Sequence, residues 1–264
     1  MLPVLLKIGP ITIYTYGLLV ASGFALGVVW SMREARKAGL DANQVLDLCF
    51  YLVLAAIVGS RLLFVVIDWD QYRAHPLNVF KLWEGGLVFY GGLIGAIILF
   101  IFFVRWKNMP FWLTSDVMAP GIALGQGIGR LGCLAAGCCY GRSADLPWAI
   151  TFTHERCLAP LNQPLHPTQL YHSLWQFALF TVLILLKRRR RFFGQLFWTY
   201  CLLHGVGRLV VERFRGDFRG AELLAGLTST QMVSWALILV SVLMMMVLPR
   251  TRRIPDSPKP AKNQ

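Results

Sequence analysis

Residues 46–67 read LDLCFYLVLAAIVGSRLLFVVI, a run in which only Asp47 and Arg61 carry charge. A helix needs about 20 mainly apolar residues to cross the hydrocarbon core of a bilayer, and this run is long enough to do so. Working outward along the chain, similar stretches occur at roughly 13–32, 87–104, 112–135, 168–187, 193–212 and 229–249. The stretch 112–135 is the least regular, being rich in glycine and lacking a clean apolar edge.

Composition points the same way. Of 264 residues, 56% are hydrophobic and 15% charged, with a mean hydropathy of +0.56. A soluble domain would carry about a quarter charged residues. The expected fold is an all-α integral membrane protein, a bundle of about seven transmembrane helices formed by residues 1–249. The basic segment 250–264 is expected to be a disordered cytoplasmic tail. The first apolar stretch lacks a charged leader and a small-residue cleavage site, so it is expected to be the first span.

The distribution of charge gives an orientation. One side of the expected bundle receives Arg33, Arg36, Lys37, Arg105, Lys107, the run Lys187 to Arg191, and five basic residues of the tail, 15 altogether. The other side receives Lys7, Arg73, Lys81, Arg142, Arg156, Arg213, Arg215 and Arg219, which is 8. Cytoplasmic loops are enriched in lysine and arginine, so the C-terminus is expected in the cytoplasm and the N-terminus outside. The formal net charge of +13 thus follows from topology and attraction to anionic lipid, and no soluble module remains to present a nucleic-acid groove.

Three arginines, Arg61, Arg130 and Arg208, fall inside expected spans. An arginine at the centre of a membrane helix costs about 2.5–3.5 kcal/mol on insertion scales. In the expected topology all three lie toward the outer leaflet, at the level of Tyr16, Tyr90 and His166, whereas Asp116 lies at the cytoplasmic end of its span. Snorkelling to the surface, or pairing with Glu84, Glu212 and Asp68, would account for any one of them. A shared anionic ligand accounts better for all three.

Arg130 sits in Gly121-Ile-Ala-Leu-Gly125-Gln-Gly127-Ile-Gly129-Arg130-Leu-Gly132-Cys133-Leu-Ala-Ala-Gly137-Cys138-Cys139-Tyr140-Gly141. Glycines at four-residue spacing let helices approach closely. Backbone N–H groups freed beside an arginine would also cradle an anion such as phosphate. Cys133, Cys138 and Cys139 lack the C-x-x-C spacing of redox and zinc sites, and are read as small apolar packing residues rather than metal ligands. Leu165 to Tyr171, with His166 and Pro167 at its head, opens a helix. Arg208 and Glu212 stand at i,i+4, the spacing of a helix-face ion pair.

These stretches together resemble the bacterial prolipoprotein diacylglyceryl transferases. The matching pieces are Tyr16-Gly17-Leu18, Gly59-Ser60-Arg61, Glu84-Gly85-Gly86, Gly91-Gly92-Leu93-Ile94-Gly95, Gly129-Arg130-Leu131-Gly132, His166-Pro167-Thr168-Gln169-Leu170-Tyr171 and Arg208, Glu212 and Arg215. They occur in the family's order over most of the chain. The resemblance implies a multi-pass enzyme of the bacterial inner membrane that acts near the outer leaflet. It would transfer the diacylglyceryl group of phosphatidylglycerol to the lipobox cysteine of a prolipoprotein signal peptide, releasing glycerol phosphate, with neither cofactor nor metal. It implies catalytic roles for Arg130, Arg208, Tyr16, Tyr90, His166 and Glu212. Phosphatidylglycerol binding would fall to Arg130, Gly129, Gly132, Arg208, Arg61 and Arg215.

The chain departs from the family pattern at four places. Tyr90 stands where a histidine precedes Gly-Gly-Leu-Ile-Gly, Cys133 replaces the signature asparagine, Cys138 replaces an acid, and His172 replaces a frequent glutamate. The anion-binding arginines are kept, and the general base is left open among Tyr90, His166, Glu212 and the substrate phosphate. The chemistry requires a thiolate nucleophile and donors that stabilise a departing phosphate. A thiol oxidoreductase using the cysteines and an organic-anion transporter are the competing classes.

Overall fold

The computed structural model describes residues 3–9, 11–74, 76–81, 85–217 and 228–251. Strands β1 (Val4–Ile8) and β2 (Ile11–Tyr14) form an antiparallel hairpin that leads into α1 (Thr15–Lys37). Helix α2 (Ala42–Ile67) is followed by the short α3 (Trp69–Ala74) and a 3-10 turn, Pro76–Phe80. Helices α4 (Phe89–Trp106) and α5 (Phe111–Ala136) come next. Strands β3 (Ile150–Thr151) and β4 (Pro164–Leu165) pair antiparallel ahead of α6 (Thr168–Lys187), α7 (Gln195–Glu212) and α8 (Ser229–Thr251).

The seven long helices coincide with the seven apolar stretches to within a few residues at each end. Five of them, α1, α2, α4, α6 and α8, are long and apolar enough to cross a membrane. Helices α5 and α7 are of similar length but carry Asp116, Gln126 and Arg130, and His204, Arg208 and Glu212. The two small sheets and α3 add to the all-α expectation, because they lie in connections without apolar periodicity. Of the expected tail, residues 252–264 lie outside the described residues, while Arg250 and Thr251 continue α8.

Apolar side chains cover the outside of the long helices. Ile98 of α4 is 63% exposed and Leu239 of α8 is 72% exposed. Water does not tolerate so continuous an apolar surface, whereas lipid tails do.

The chain divides into two compact units, residues 32–114 and residues 1–31 with 115–264. In the first, α2 packs on α4 where Gly59 meets Gly91 and Gly95. A Cβ on Gly59 would come within 2.4 Å of the Gly91 carbonyl oxygen, so the crossing requires glycine. The Asp41 side chain caps α2 by accepting from the Asn43 N–H at 2.8 Å.

In the second unit, Gly23 and Gly27 of α1 oppose Gly125 and Gly121 of α5 in the same way. Helices α5, α6 and α7 enclose an apolar core of Ala119, Ala123, Leu179, Leu183, Leu196 and Tyr200. Asp116, fully buried, accepts from the Gly194 and Phe197 N–H groups at 2.8 and 3.0 Å and lies 3.8 Å from Arg190. It thereby satisfies backbone donors at the start of α7 and fixes that helix against α5.

Candidate active site

The polar residues of the second unit concentrate around one imidazole. His172 of α6 is buried, 4% exposed, and its Nε2 accepts from Arg208 Nη1 of α7 at 3.0 Å. Arg130 and Arg215 also lie within range of its charge interactions. Glu212, one turn beyond Arg208, approaches its Nη2 at 3.7 Å through Oε2. Arg208 of α7 is thus in direct contact with His172, and Arg130 of α5 and Arg215 of the segment after α7 lie close enough for their charges to act on it.

Arg215 is fixed in place by Asp217. Its Nε donates to Oδ1 at 2.8 Å and its Nη2 to Oδ2 at 2.5 Å, a bidentate pair with the arginine side chain only 3% exposed. The remaining nitrogen, Nη1, is buried with no hydrogen-bond partner among the described residues. Burying a cationic donor in that state is unfavourable, so the geometry is suited to an added anion. Asp217 strengthens the arginine's hold on its proton against the opposing effect of burial.

The glycines around Arg130 separate into two kinds. Gly121 and Gly125 are packed against α1, and Gly127 against the Phe177 ring. Gly132 lies close to the Tyr16 carbonyl, at 3.2 Å from a would-be Cβ, whereas a Cβ on Gly129 would meet nothing within 4 Å among the described residues. Open space thus adjoins Arg130 on its own helix, and packing does not account for Gly129.

The loop after α5 is stitched to two other segments. Gly141 N–H donates to the His166 carbonyl at 3.1 Å and His166 N–H to that of Arg142 at 3.0 Å. Arg142 N–H donates to the Phe214 carbonyl at 2.9 Å, and Gly216 N–H to that of Tyr140 at 3.2 Å. A Cβ on Gly141 would sit 2.4 Å from His166 Cβ, so the loop can pass only as glycine. His166 Nδ1 pairs with the Tyr171 hydroxyl at 3.2 Å, and Trp148 Nε1 donates to the same hydroxyl at 2.9 Å. Burial and the Arg142 charge hold the His166 imidazole below its ordinary value of 6.5, so it is neutral at pH 7.

Tyr16, at the start of α1, lies within electrostatic range of Arg130 and of Cys133, Cys138 and Cys139. It also lines an open pocket of about 360 Å³ with Pro3, Tyr14, Gly17, Ala136, Arg156 and Leu158. The pocket wall is mostly apolar side chain, suited to acyl or alkyl groups.

Arg61 and Tyr90 belong to the other unit. Every Arg61 N–H is engaged: Nε with the Val79 carbonyl, Nη1 with those of Gly85 and Gly86, and Nη2 with those of Asn78 and Lys81, all at 2.6–3.2 Å. Phe64 and Tyr72 flank its guanidinium. This arginine holds a loop, which leaves it no donor for a phosphate. Tyr90 is half-buried beside Phe89, and Glu84 lies outside the described residues.

His172 and Asp217 enter the site through the fold alone. In the sequence His172 is one polar residue in an apolar helix, and Asp217 follows a loop. His172 stands out only as a departure from the family pattern, and nothing local ties either residue to an arginine.

The profile of the family described as prolipoprotein diacylglyceryl transferase matches residues 3–247. Named relatives are phosphatidylglycerol–prolipoprotein diacylglyceryl transferases. That of Synechococcus elongatus is 36% identical, over 98% of this chain and 92% of its own length. That of Nostoc sp. is 36% identical over 99% and 94%, and that of Bacillus velezensis 34% over 92% and 90%. With matches of this extent, the chain belongs to the prolipoprotein diacylglyceryl transferase family.

Proposed function

We propose that this enzyme transfers the diacylglyceryl group of phosphatidylglycerol to the lipobox cysteine of prolipoproteins, the first step of lipoprotein maturation. The observation that carries the reading is the convergence of Arg130, Arg208 and Arg215 around His172, beside the open space at Gly129. A phosphodiester placed there meets Arg208, held by His172 and Glu212, Arg215, held by Asp217, and the Arg130 guanidinium, in a medium of low dielectric where their charges act strongly. The sulfur of the lipobox cysteine attacks the glyceryl carbon bonded to the phosphate oxygen. The carbon–oxygen bond breaks, a thioether forms, and glycerol phosphate leaves with its charge compensated.

The thiol proton passes to His166 in this reading. Its Nδ1 is engaged by Tyr171, and its Nε2 makes no hydrogen bond among the described residues. Glu212 is already committed to Arg208. Tyr16 borders both the anion site and the apolar pocket, which accommodates part of a lipid or of the signal peptide.

Seven crossings with the N-terminus outside and the C-terminus cytoplasmic would put the arginine cluster toward the outer leaflet of the inner membrane, where signal peptides emerge. The positive-inside count supports that orientation. Expression of this chain in a bacterium depleted of its own transferase tests the function. Growth should be restored, and a reporter lipoprotein should gain the mass of a diacylglyceryl group. Restored growth without that gain, or neither, would overturn the reading.

A further inference from the structure

The Cys133, Cys138 and Cys139 sulfurs, from the end of α5 and the turn that follows, lie within 4.8 Å of one another. The linear spacing conceals this, since it is the turn at Gly137 that folds the second and third cysteines back toward the first. Cys138 N–H donates to the Cys133 carbonyl at 3.1 Å, and its Sγ approaches the same oxygen at 3.7 Å. Gly137 takes φ +73° and Cys139 φ +60°, a left-handed conformation unfavourable for a residue with a Cβ.

Two fully buried side chains at the head of α6 hold that conformation. Thr168 Oγ1 donates to the Cys139 carbonyl at 2.7 Å, and Gln169 Nε2 to the Cys138 carbonyl at 2.8 Å. Cysteines serving only as small apolar filler would need no such buttress. The shape resembles the outer support that orients ligands in metal sites. Arg215 flanks the Cys139 sulfur, and Arg130 lies within range of Cys133, so cationic groups stand ready to offset thiolate charge.

We propose that Cys133, Cys138 and Cys139 form a trigonal thiolate site for a soft d10 cation, Cu(I) or Zn(II). Metal–sulfur bonds of about 2.3 Å place the sulfurs of such a site roughly 3.8–4.0 Å apart. Closing from 4.8 Å therefore takes side-chain rotation and less than an ångström per pair. Thiolates select soft metals. Three sulfurs with no fourth His, Cys, Asp or Glu ligand among the described residues favour Cu(I), which is content with three; Zn(II) would add a water. Arg130 and Arg215 border this site as well as the proposed anion site, so the test below reads metal uptake and not transfer.

The test uses the full chain, purified in detergent under reducing, anaerobic conditions. Cu(I) is titrated against a chromophoric chelator, Zn(II) against a second, and Co(II) serves as a spectroscopic probe of thiolate coordination. The expected result is one equivalent of Cu(I) or Zn(II), with a near-ultraviolet sulfur-to-cobalt band. Cys138→Ala and Cys139→Ala should each weaken binding at least a hundredfold, and Cys157→Ala should leave it unchanged. Thr168→Val, which keeps all three sulfurs, should weaken it about tenfold, and thermal melting of each variant confirms folding. No stoichiometric uptake overturns the proposal, as does uptake indifferent to the three cysteines, or a disulfide among them that after reduction still binds no metal.

Discussion

His172 Nε2 accepts from Arg208 Nη1 at 3.0 Å, so a helix-α6 imidazole sets the direction of a helix-α7 guanidinium. An arginine can only donate, which fixes the imidazole tautomer with its hydrogen on Nδ1. His172→Ala should remove one of the groups that aim Arg208 and lower kcat about tenfold, the worth of a charged hydrogen bond of about 1.5 kcal/mol. His172→Gln, whose amide oxygen also accepts, should recover much of the loss. Equal losses in both variants would show that His172 does more than position Arg208.

Arg130 is expected to recognise phosphate through its planar fork. Arg130→Lys keeps the charge but loses the five-donor geometry, and activity should fall about a hundredfold with expression unchanged. Near-native turnover by the lysine variant would reduce Arg130 to an anchor.

Gly129 and Gly125 should respond differently to alanine. A Cβ at Gly125 comes within 2.9 Å of the Gly23 carbonyl oxygen, so Gly125→Ala should destabilise the α1–α5 crossing by about 1–3 kcal/mol. Gly129→Ala meets nothing within 4 Å among the described residues and should fold normally, yet raise KM for phosphatidylglycerol by narrowing the space beside Arg130. Thermal melting and initial rates on the two variants check both outcomes.

The cysteines should be dispensable for transfer, and Arg208 should not. The triple alanine variant of Cys133, Cys138 and Cys139 should still lipidate a prolipoprotein peptide, whereas Arg208→Ala should lose about 3–4 kcal/mol of transition-state stabilisation. Both are assayed in membranes with protein levels checked by blot. An inactive, well-expressed cysteine variant beside an active Arg208→Ala would point to a thiol oxidoreductase.

His166 should make stability fall in acid. Its value in the folded chain lies below 6.5, so near pH 6 the unfolded chain binds more protons. Stability is then fully present above about pH 6.5 and declines as pH drops through that value toward the lower folded one. Melting temperatures between pH 8 and 5 should show this decline, and His166→Asn should flatten it.

The Arg208–Glu212 pair was legible in the sequence because i,i+4 spacing places both on one helix face, and the fold retains it at 3.7 Å. The engagement of Arg61 was not legible, for a physical reason. Its sequence shows a lone charge among apolar residues, but what satisfies it are the carbonyls of Asn78, Val79, Lys81, Gly85 and Gly86, and backbone oxygens leave no trace in side-chain identity. The glycine run likewise announced close approach without revealing that Gly125 meets Gly23 while Gly129 meets nothing.

By itself, then, the sequence determined that long apolar helices form and where they begin and end. That information is local, since an apolar run of about 20 residues needs no partner to declare itself. It also singled out Arg61, Arg130 and Arg208 as in-span arginines in want of an anion, and the family resemblance added Arg215. Only the tertiary structure decided that Arg130, Arg208 and Arg215 surround His172, that Arg61 clamps a loop, and that three cysteines spaced for no familiar motif meet within 4.8 Å. Each depends on which helix faces another and on how a turn reverses the chain. Those are fixed by close packing between distant segments, not by the order of neighbours.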